Sequence, residues 1–326
     1  MKAICLFSGG LDSQLAVRLI ARQGIDVAGI CFKTPFFGDN PAIKASADRL
    51  GIELQVLDVS QVYVKDILLN PRYGYGKNLN PCIDCHGFML RQAGDHMRQV
   101  GASFLVTGEV LGQRPMSQNK SSLSIVEKLS TYQGLIVRPL SGKLLPATIP
   151  EREGWIDREQ LLDISGRGRT RQMALAEEFG IVRYPSPAGG CLLTEPGFAR
   201  RLRSLLEYRE LPSWSDTEIL KVGRHFYLGE ALLVVGRNHS ENELLKRAAQ
   251  PGDILIKMAE FPGPTGLLRR LRPGQSDATQ AAAIVARYSD AKTQPQAEAR
   301  LFNHDGSLIT QMAVIPLTPE MTPAMI

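Results

Sequence analysis

Ser8-Gly9-Gly10-Leu11-Asp12-Ser13 sets two glycines, two hydroxyls and one carboxylate in six consecutive residues, directly after the apolar run 3–7. Such a turn has the parts of a phosphate cradle. Glycines let the backbone approach an anion closely, and successive N–H groups at the start of a helix carry partial positive charge. Ser8 and Ser13 can donate further hydrogen bonds, and the Asp12 carboxylate is better suited to Mg²⁺ beside a pyrophosphate than to phosphate itself. No lysine stands within the turn. A plain tight turn with a Ser or Asp helix cap has a similar composition. Strand, glycines, acid and helix nevertheless follow in the order that a nucleotide site requires.

A second constellation is made of thiols. Cys82 and Cys85 form a CxxC pair, His86 follows directly, and Cys191 stands more than a hundred residues later, after Pro187-Ala188-Gly189-Gly190. Three thiolates can hold an iron–sulfur cluster with one iron open, and three thiolates with His86 can hold zinc. A CxxC at a loop–helix junction is also activated by the helix dipole. Cys5 and Cys31 lie inside apolar runs and read as small core residues. Five cysteines make an odd set, and with no secretion signal they argue against a disulfide framework.

The elements that must position these groups follow an α/β alternation: strands over 3–7, 25–32 and 52–57, helices over 13–22 and 41–50, then strands over 103–107 and 135–137. This pattern predicts a doubly wound parallel sheet, with ligands outside the carboxyl ends of its strands, where the glycine turn and Gly108 fall. A Gly-, Pro- and Asn-rich stretch over 71–81 reads as a mobile lid loop before a helix over 85–100, and residues 150–180 read as helical and basic. A boundary is expected near 200–215, followed by a smaller α+β module. The expected domains are 1–205, 215–290 and a C-terminal tail over 291–326 that contains a strand or two and whose last ten residues are expected to be disordered.

With 326 residues, 44% hydrophobic and 22% charged, the chain is long enough for two globular domains. A net charge of +5 is compatible with a polyanionic partner such as RNA. The absence of a signal-like start and of a ~20-residue apolar run predicts a cytoplasmic location and no membrane partner.

The turn at 8–13 resembles the SGGxDS signature of the adenine-nucleotide alpha-hydrolase superfamily, whose members split ATP between the α and β phosphates and adenylate an acceptor. Combined with Asn80-Pro81-Cys82-Ile83-Asp84-Cys85 and Gly189-Gly190-Cys191, it resembles the tRNA thiouridine synthases over about residues 1 to 200, namely the 2-thiouridylases and the catalytic domain of 4-thiouridine synthase. The resemblance implies a tRNA substrate, a sulfur donor (sulfide or a persulfide carrier), and replacement of an adenylated uridine oxygen by sulfur. It implies ATP contacts at Ser8, Gly9, Gly10, Leu11, Asp12 and Ser13, with Phe32 and Gly108 near the nucleoside and Asp12, Cys85 and Cys191 catalytic. In the two-cysteine branch an Asp commonly stands in the place of Cys82, so Cys82 points to a four-iron four-sulfur cluster on Cys82, Cys85 and Cys191. The alternatives are a persulfide–disulfide relay between Cys85 and Cys191, a PP-loop ligase or amidase with structural zinc, and a non-catalytic RNA-binding factor.

Lys143, Arg167, Arg169 and Arg171 are candidate tRNA phosphate contacts. Further on, Arg224-His225-Phe226, Val235-Gly236-Arg237-Asn238 and Pro251-Gly252-Asp253-Ile254 resemble the RNA-binding domain of the NFACT family. Arg224, Arg237, Lys246, Arg247, Lys257, Arg269, Arg270 and Arg272 are expected to give that module a basic surface. His225 and His239 read as surface or packing residues.

Overall fold

The computed structural model describes the whole chain except residues 39, 187–189, 210–211 and 273–276. It divides into two compact units, Met1–Thr194 and Glu195–Ile326. Pro187, Ala188 and Gly189, which precede Cys191 in the sequence motif, lie outside the described residues.

In the first unit the order is Lys2–Leu6 (β1), Leu11–Ala21 (α1), Asp26–Lys33 (β2), Pro41–Leu50 (α2), Leu54–Asp58 (β3), the single turn Ser60–Val62 (α3), a π-helical stretch Tyr63–Leu68, Cys82–Gln99 (α4), Phe104–Thr107 (β4), Lys120–Ser130 (α5), Ile136–Val137 (β5), Ile149–Arg152 (α6) and Thr170–Glu178 (α7). Among the described residues its strands form one sheet in the order β3-β2-β1-β4-β5, with every pairing parallel. Parallel strands covered on both faces need near-continuous apolar runs. Ala3, Ile4, Cys5, Phe104, Leu105 and Val106 are accordingly all buried. Helix α1 is buried on two sides: Ala16, Val17 and Ile20 join the strand core, while Leu11, Leu15 and Leu19, one turn apart, pack with Val110, Leu140, Ile164 and Ala176.

Two expectations for this unit need correction. Both candidate helices begin earlier than their apolar periodicity suggested: α1 at Leu11 and α4 at Cys82. Asp12, Ser13, Cys82 and Cys85 therefore lie at helix N-termini. Residues 150–180 are not one helical region; between the 3-10 turn at Arg158–Gln160 and α7 the chain runs beside 139–140, with Leu162 and Ile164 donating to the carbonyls of Pro139 and Leu140. Positive φ at Gly154 and Gly166 breaks any longer helix there.

The second unit runs Pro196–Leu206 (α8), Trp214–Leu220 (α9), Arg224–Leu228 (β6), Ala231–Val235 (β7), His239–Ala248 (α10), Ile254–Met258 (β8), Gly266–Arg270 (β9), Ala278–Arg287 (α11), Ala297–Asn303 (β10) and Leu308–Val314 (β11). Among the described residues its strands form an antiparallel sheet ordered β11-β10-β8-β9-β7-β6. The strand or two expected in the tail over 291–326 are β10 and β11, at one edge of this sheet. Ala297, Ala299, Leu301 and Val314 enter the core against α11, where alternation along β10 puts its apolar residues on one face.

Arg269 is not a surface cation. It is 2% exposed and donates to Asp253 Oδ1 at 3.0 Å, Asp253 Oδ2 at 2.6 Å and Asp216 Oδ1 at 2.9 Å. A β9 side chain on the inward face can remain charged only if paired in this way. His225 is likewise buried, its ring Nε2 3.1 Å from the Ile219 carbonyl, and burial lowers its pKa to about 3.

Candidate functional site

The phosphate turn crosses from β1 to α1 at the carboxyl end of the central strand. Gly9 has φ +70°, which L side chains rarely adopt, and a Cβ there would lie 3.1 Å from the Cα of Ile43. Gly10 is the N-cap of α1, and no side chain caps the helix. Ser13 Oγ instead donates to the Gly10 carbonyl at 2.8 Å, and the buried Gln14 Nε2 donates to the Gly9 carbonyl at 2.8 Å. The turn is thus held through its carbonyls, and the first N–H groups of α1 are left for an anion.

Gly108 closes the turn from the side. A Cβ at this position would come within 2.6 Å of the Asp12 carbonyl carbon and the Ser13 nitrogen, so β4 can end against the start of α1 only as glycine. Just beyond, Gln113 Nε2 donates to Asp12 Oδ2 at 3.1 Å, while Asp12 Oδ1 is buried without a hydrogen-bond partner. Burial raises the Asp12 carboxyl, opposed by Gln113, Arg169, Arg114 and Gln172. An orphaned carboxylate oxygen beside a phosphate cradle fits a hard cation such as Mg²⁺.

The thiols stand at the same strand ends. Cys82 and Cys85 occupy the first turns of α4, whose N-cap, Pro81, offers no capping side chain. The Asp84 carboxylate accepts from the backbone N–H groups of Arg72 and Tyr73, each at 3.0 Å, and so pins the 71–81 segment to α4. Asn80 Nδ2 lies 3.2 Å from Cys82 Sγ. Burial drives the Cys85 thiol well up; a hydrogen bond from Tyr63 offsets part of that, and the charges of Cys191 and Cys82 add to it. Cys191, partly buried, is pushed up to about 12 by burial and by Cys82, partly opposed by the N–H groups of Leu193 and Thr194 and by Arg114.

The two raised thiols, Cys85 and Cys191, need positive charge before they ionise beside Cys82, and an iron–sulfur cluster would provide it. Among the described residues no three His, Cys, Asp or Glu side chains are close enough to share a metal ion. A cluster carries its thiolates on separate irons, and His86, the fourth ligand of a zinc arrangement, has its Nδ1 on Glu109. His86 Nδ1 is 2.7 Å from Glu109 Oε1, and Glu109 Oε2 accepts from Arg138 Nε at 2.9 Å. Burial alone would raise Glu109, but Arg138 and His86 outweigh it and hold the carboxyl at about 2.

One cavity of about 780 Å³ joins the two constellations. Ser8, Gly10, Leu11, Asp12, Ser13, Phe32 and Gly108 line it together with Cys82, Cys85 and Cys191, while Gly9 turns against Ile43 instead. Arg167 and Arg169 also line it; Arg171 is exposed and paired with Asp163 at 2.7 Å, and Lys143 with Glu159 at 3.0 Å. Sequence reasoning missed Gln14, Tyr63, Glu109, Gln113 and Arg114. The last three follow Gly108 at the carboxyl end of β4, and that placement was the available signal.

Comparison with known proteins gives two family matches: the tRNA methyl transferase HUP domain over residues 1–149 and the NFACT protein RNA binding domain over residues 223–324. The tRNA-specific 2-thiouridylase MnmA 1 of Fusobacterium nucleatum is 35% identical over 105 residues, 31% of this chain and 28% of the relative. The tRNA-specific 2-thiouridylase MnmA of Nitratidesulfovibrio vulgaris is 35% identical over 107 residues, 31% of each chain. The chain thus spans about a third of the length of these curated relatives. A solved 4-thiouridine synthetase–RNA complex with bound ATP is 20% identical, covering 68% of this chain and 52% of its own, with a TM-score of 0.41. The chain combines a PP-loop domain similar to those of tRNA thiouridine synthases with a module similar to the NFACT RNA-binding domain. No helix among the described residues is long and apolar enough to cross a membrane.

Proposed function

We propose that this protein is an ATP-dependent tRNA uridine thiolase. The observation that carries the reading is the single cavity lined by both the phosphate turn and all three cysteines of the paired motif. Activation and sulfur delivery can then act on one bound base without an intermediate crossing solvent.

The cradle of Gly10 and the α1 N-terminus holds the triphosphate, and Mg²⁺ at Asp12 would neutralise part of its charge. A uracil carbonyl oxygen attacks the α-phosphorus and the imide proton leaves to solvent; the α–β phosphoanhydride bond breaks and pyrophosphate departs. Sulfur at the sulfide level then attacks the activated carbon, and the C–O bond breaks with release of AMP. Cys82, Cys85 and Cys191 would hold a four-iron four-sulfur cluster, whose iron without a protein ligand can present sulfide. Gly108 and Phe32 at the strand ends set the depth of the nucleoside pocket, and the NFACT-like module supplies affinity for the tRNA.

The test is anaerobic reconstitution with iron and sulfide, followed by ATP, Mg²⁺ and unmodified tRNA. Thionucleoside in the digested tRNA, dependent on ATP and lost in Asp12→Asn, is the expected result. Its absence with every tRNA, together with ATP–pyrophosphate exchange that depends on a small metabolite and not on RNA, would replace this reading with that of a small-molecule ligase.

A further inference from the structure

The phosphate turn contains no lysine, yet its cavity is rich in positive charge. Three guanidiniums line it, those of Arg114, Arg167 and Arg169, against the carboxylates of Asp12 and Glu109, and Glu109 is already taken by Arg138 and His86. Of the three, Arg114 and Arg169 are within charge–charge reach of Asp12. Neither forms a salt bridge with a described residue, whereas the neighbouring Arg171 is paired with Asp163. Arg169 Nε is buried without a hydrogen-bond partner, as is Asp12 Oδ1. Arg169 is also the N-cap residue of α7, and α7 carries the fully buried Gln172, which faces Asp12 as well. Guanidiniums without a salt bridge and a carboxylate oxygen without a hydrogen-bond partner, lining one cavity, are both satisfied by a magnesium-bound polyphosphate.

We propose that Arg114 and Arg169 clamp the pyrophosphate leaving group, supplying from the β4–α5 connection and the start of α7 the charge that a lysine gives in other phosphate-binding loops. The assignment rests on the ATP-cleaving reading above and makes Arg169 a ligand of ATP, not of tRNA phosphate. When the α–β bond breaks, the electron pair goes to the bridging oxygen that leaves with the β-phosphate, and two guanidiniums holding the pyrophosphate would offset that charge. Arg114 is also within charge–charge reach of Cys191, so the same side chain faces the two ends of the cavity.

The experiment is calorimetric titration of the full chain and of Arg114→Ala, Arg169→Ala and Arg171→Ala with inorganic pyrophosphate plus Mg²⁺, with AMP, and with tRNA. Loss of a charge-assisted hydrogen bond predicts pyrophosphate affinity lower by about tenfold or more in the first two variants, AMP affinity within about twofold of the parent, and no change in Arg171→Ala. Arg169→Lys, which keeps the charge but loses the planar fork, should fall between. Thermal unfolding of each variant identifies any that is misfolded, and Arg169→Lys then carries the comparison. Unchanged pyrophosphate affinity in both alanine variants, or weakened tRNA binding with pyrophosphate binding intact, overturns the clamp alone. Failure of the parent protein to bind pyrophosphate or ATP overturns the clamp and the ATP reading together.

Discussion

Glu109 Oε1 meets His86 Nδ1 at 2.7 Å while its other oxygen accepts from Arg138 Nε at 2.9 Å, so one buried carboxylate ties the helix that carries two of the thiols to the ends of β4 and β5. Its folded-state pKa, about 2, lies below the ordinary value near 4.3. Its stabilising contribution is therefore present above the ordinary value and is lost as pH falls toward 2. Equilibrium unfolding followed by denaturant should show stability declining from about pH 4.5 downward, with a shallower decline in Glu109→Gln.

Removing Arg138 leaves the buried Glu109 with His86 alone, and removing Glu109 leaves Arg138 with Glu127 alone. Arg138→Met should cost about 3–5 kcal/mol, while the double variant Glu109→Leu, Arg138→Met should be less destabilised than the sum of the single changes. A double-mutant cycle on chemical denaturation midpoints measures this. Additive losses would mean that the two side chains act independently.

Gly108→Ala forces a Cβ against the backbone of Asp12 and Ser13. Overpacking of this kind costs about 1–3 kcal/mol and displaces the turn itself. ATP affinity should fall more steeply than the melting temperature. Equal falls in both would indicate a purely structural glycine.

Cys82 separates the two sulfur mechanisms. Under the cluster reading, Cys82→Ser should abolish both the brown chromophore of the reconstituted protein and thiolation. Under a relay between Cys85 and Cys191, thiolation should survive in the presence of a reductant that reopens their disulfide. Ultraviolet–visible spectra and nucleoside analysis on the same samples give both readouts.

In the second unit, Arg269→Ala leaves Asp216 and Asp253 buried without their shared cation, with an expected loss of about 3–5 kcal/mol. Proteolysis should become faster within Glu195–Ile326 and remain slow in Met1–Thr194. A variant as stable as the parent with reduced RNA affinity would return Arg269 to the surface.

Local chemistry made much of this protein legible in its sequence. The order of apolar strand, Gly9-Gly10, Asp12 and helix specifies a phosphate turn because each part is contiguous and only glycine tolerates the backbone that the turn needs. The parallel sheet followed from alternating short apolar runs and helical periods, and the thiols of Cys82 and Cys85 from a spacing that one helix start enforces. Tertiary structure decided what depends on residues distant in the chain. Asp12 meeting Gln113, Glu109 meeting His86 and Arg138, and Arg269 turning inward are contacts between distant residues that no spacing encodes. Composition cannot tell a solvated arginine from one buried between two carboxylates, because that distinction is set by which sheet face the side chain occupies. The same holds for the strands expected in the tail: only the antiparallel pairing of β10 with β8, and of β11 with β10, joins them to the sheet of the second unit.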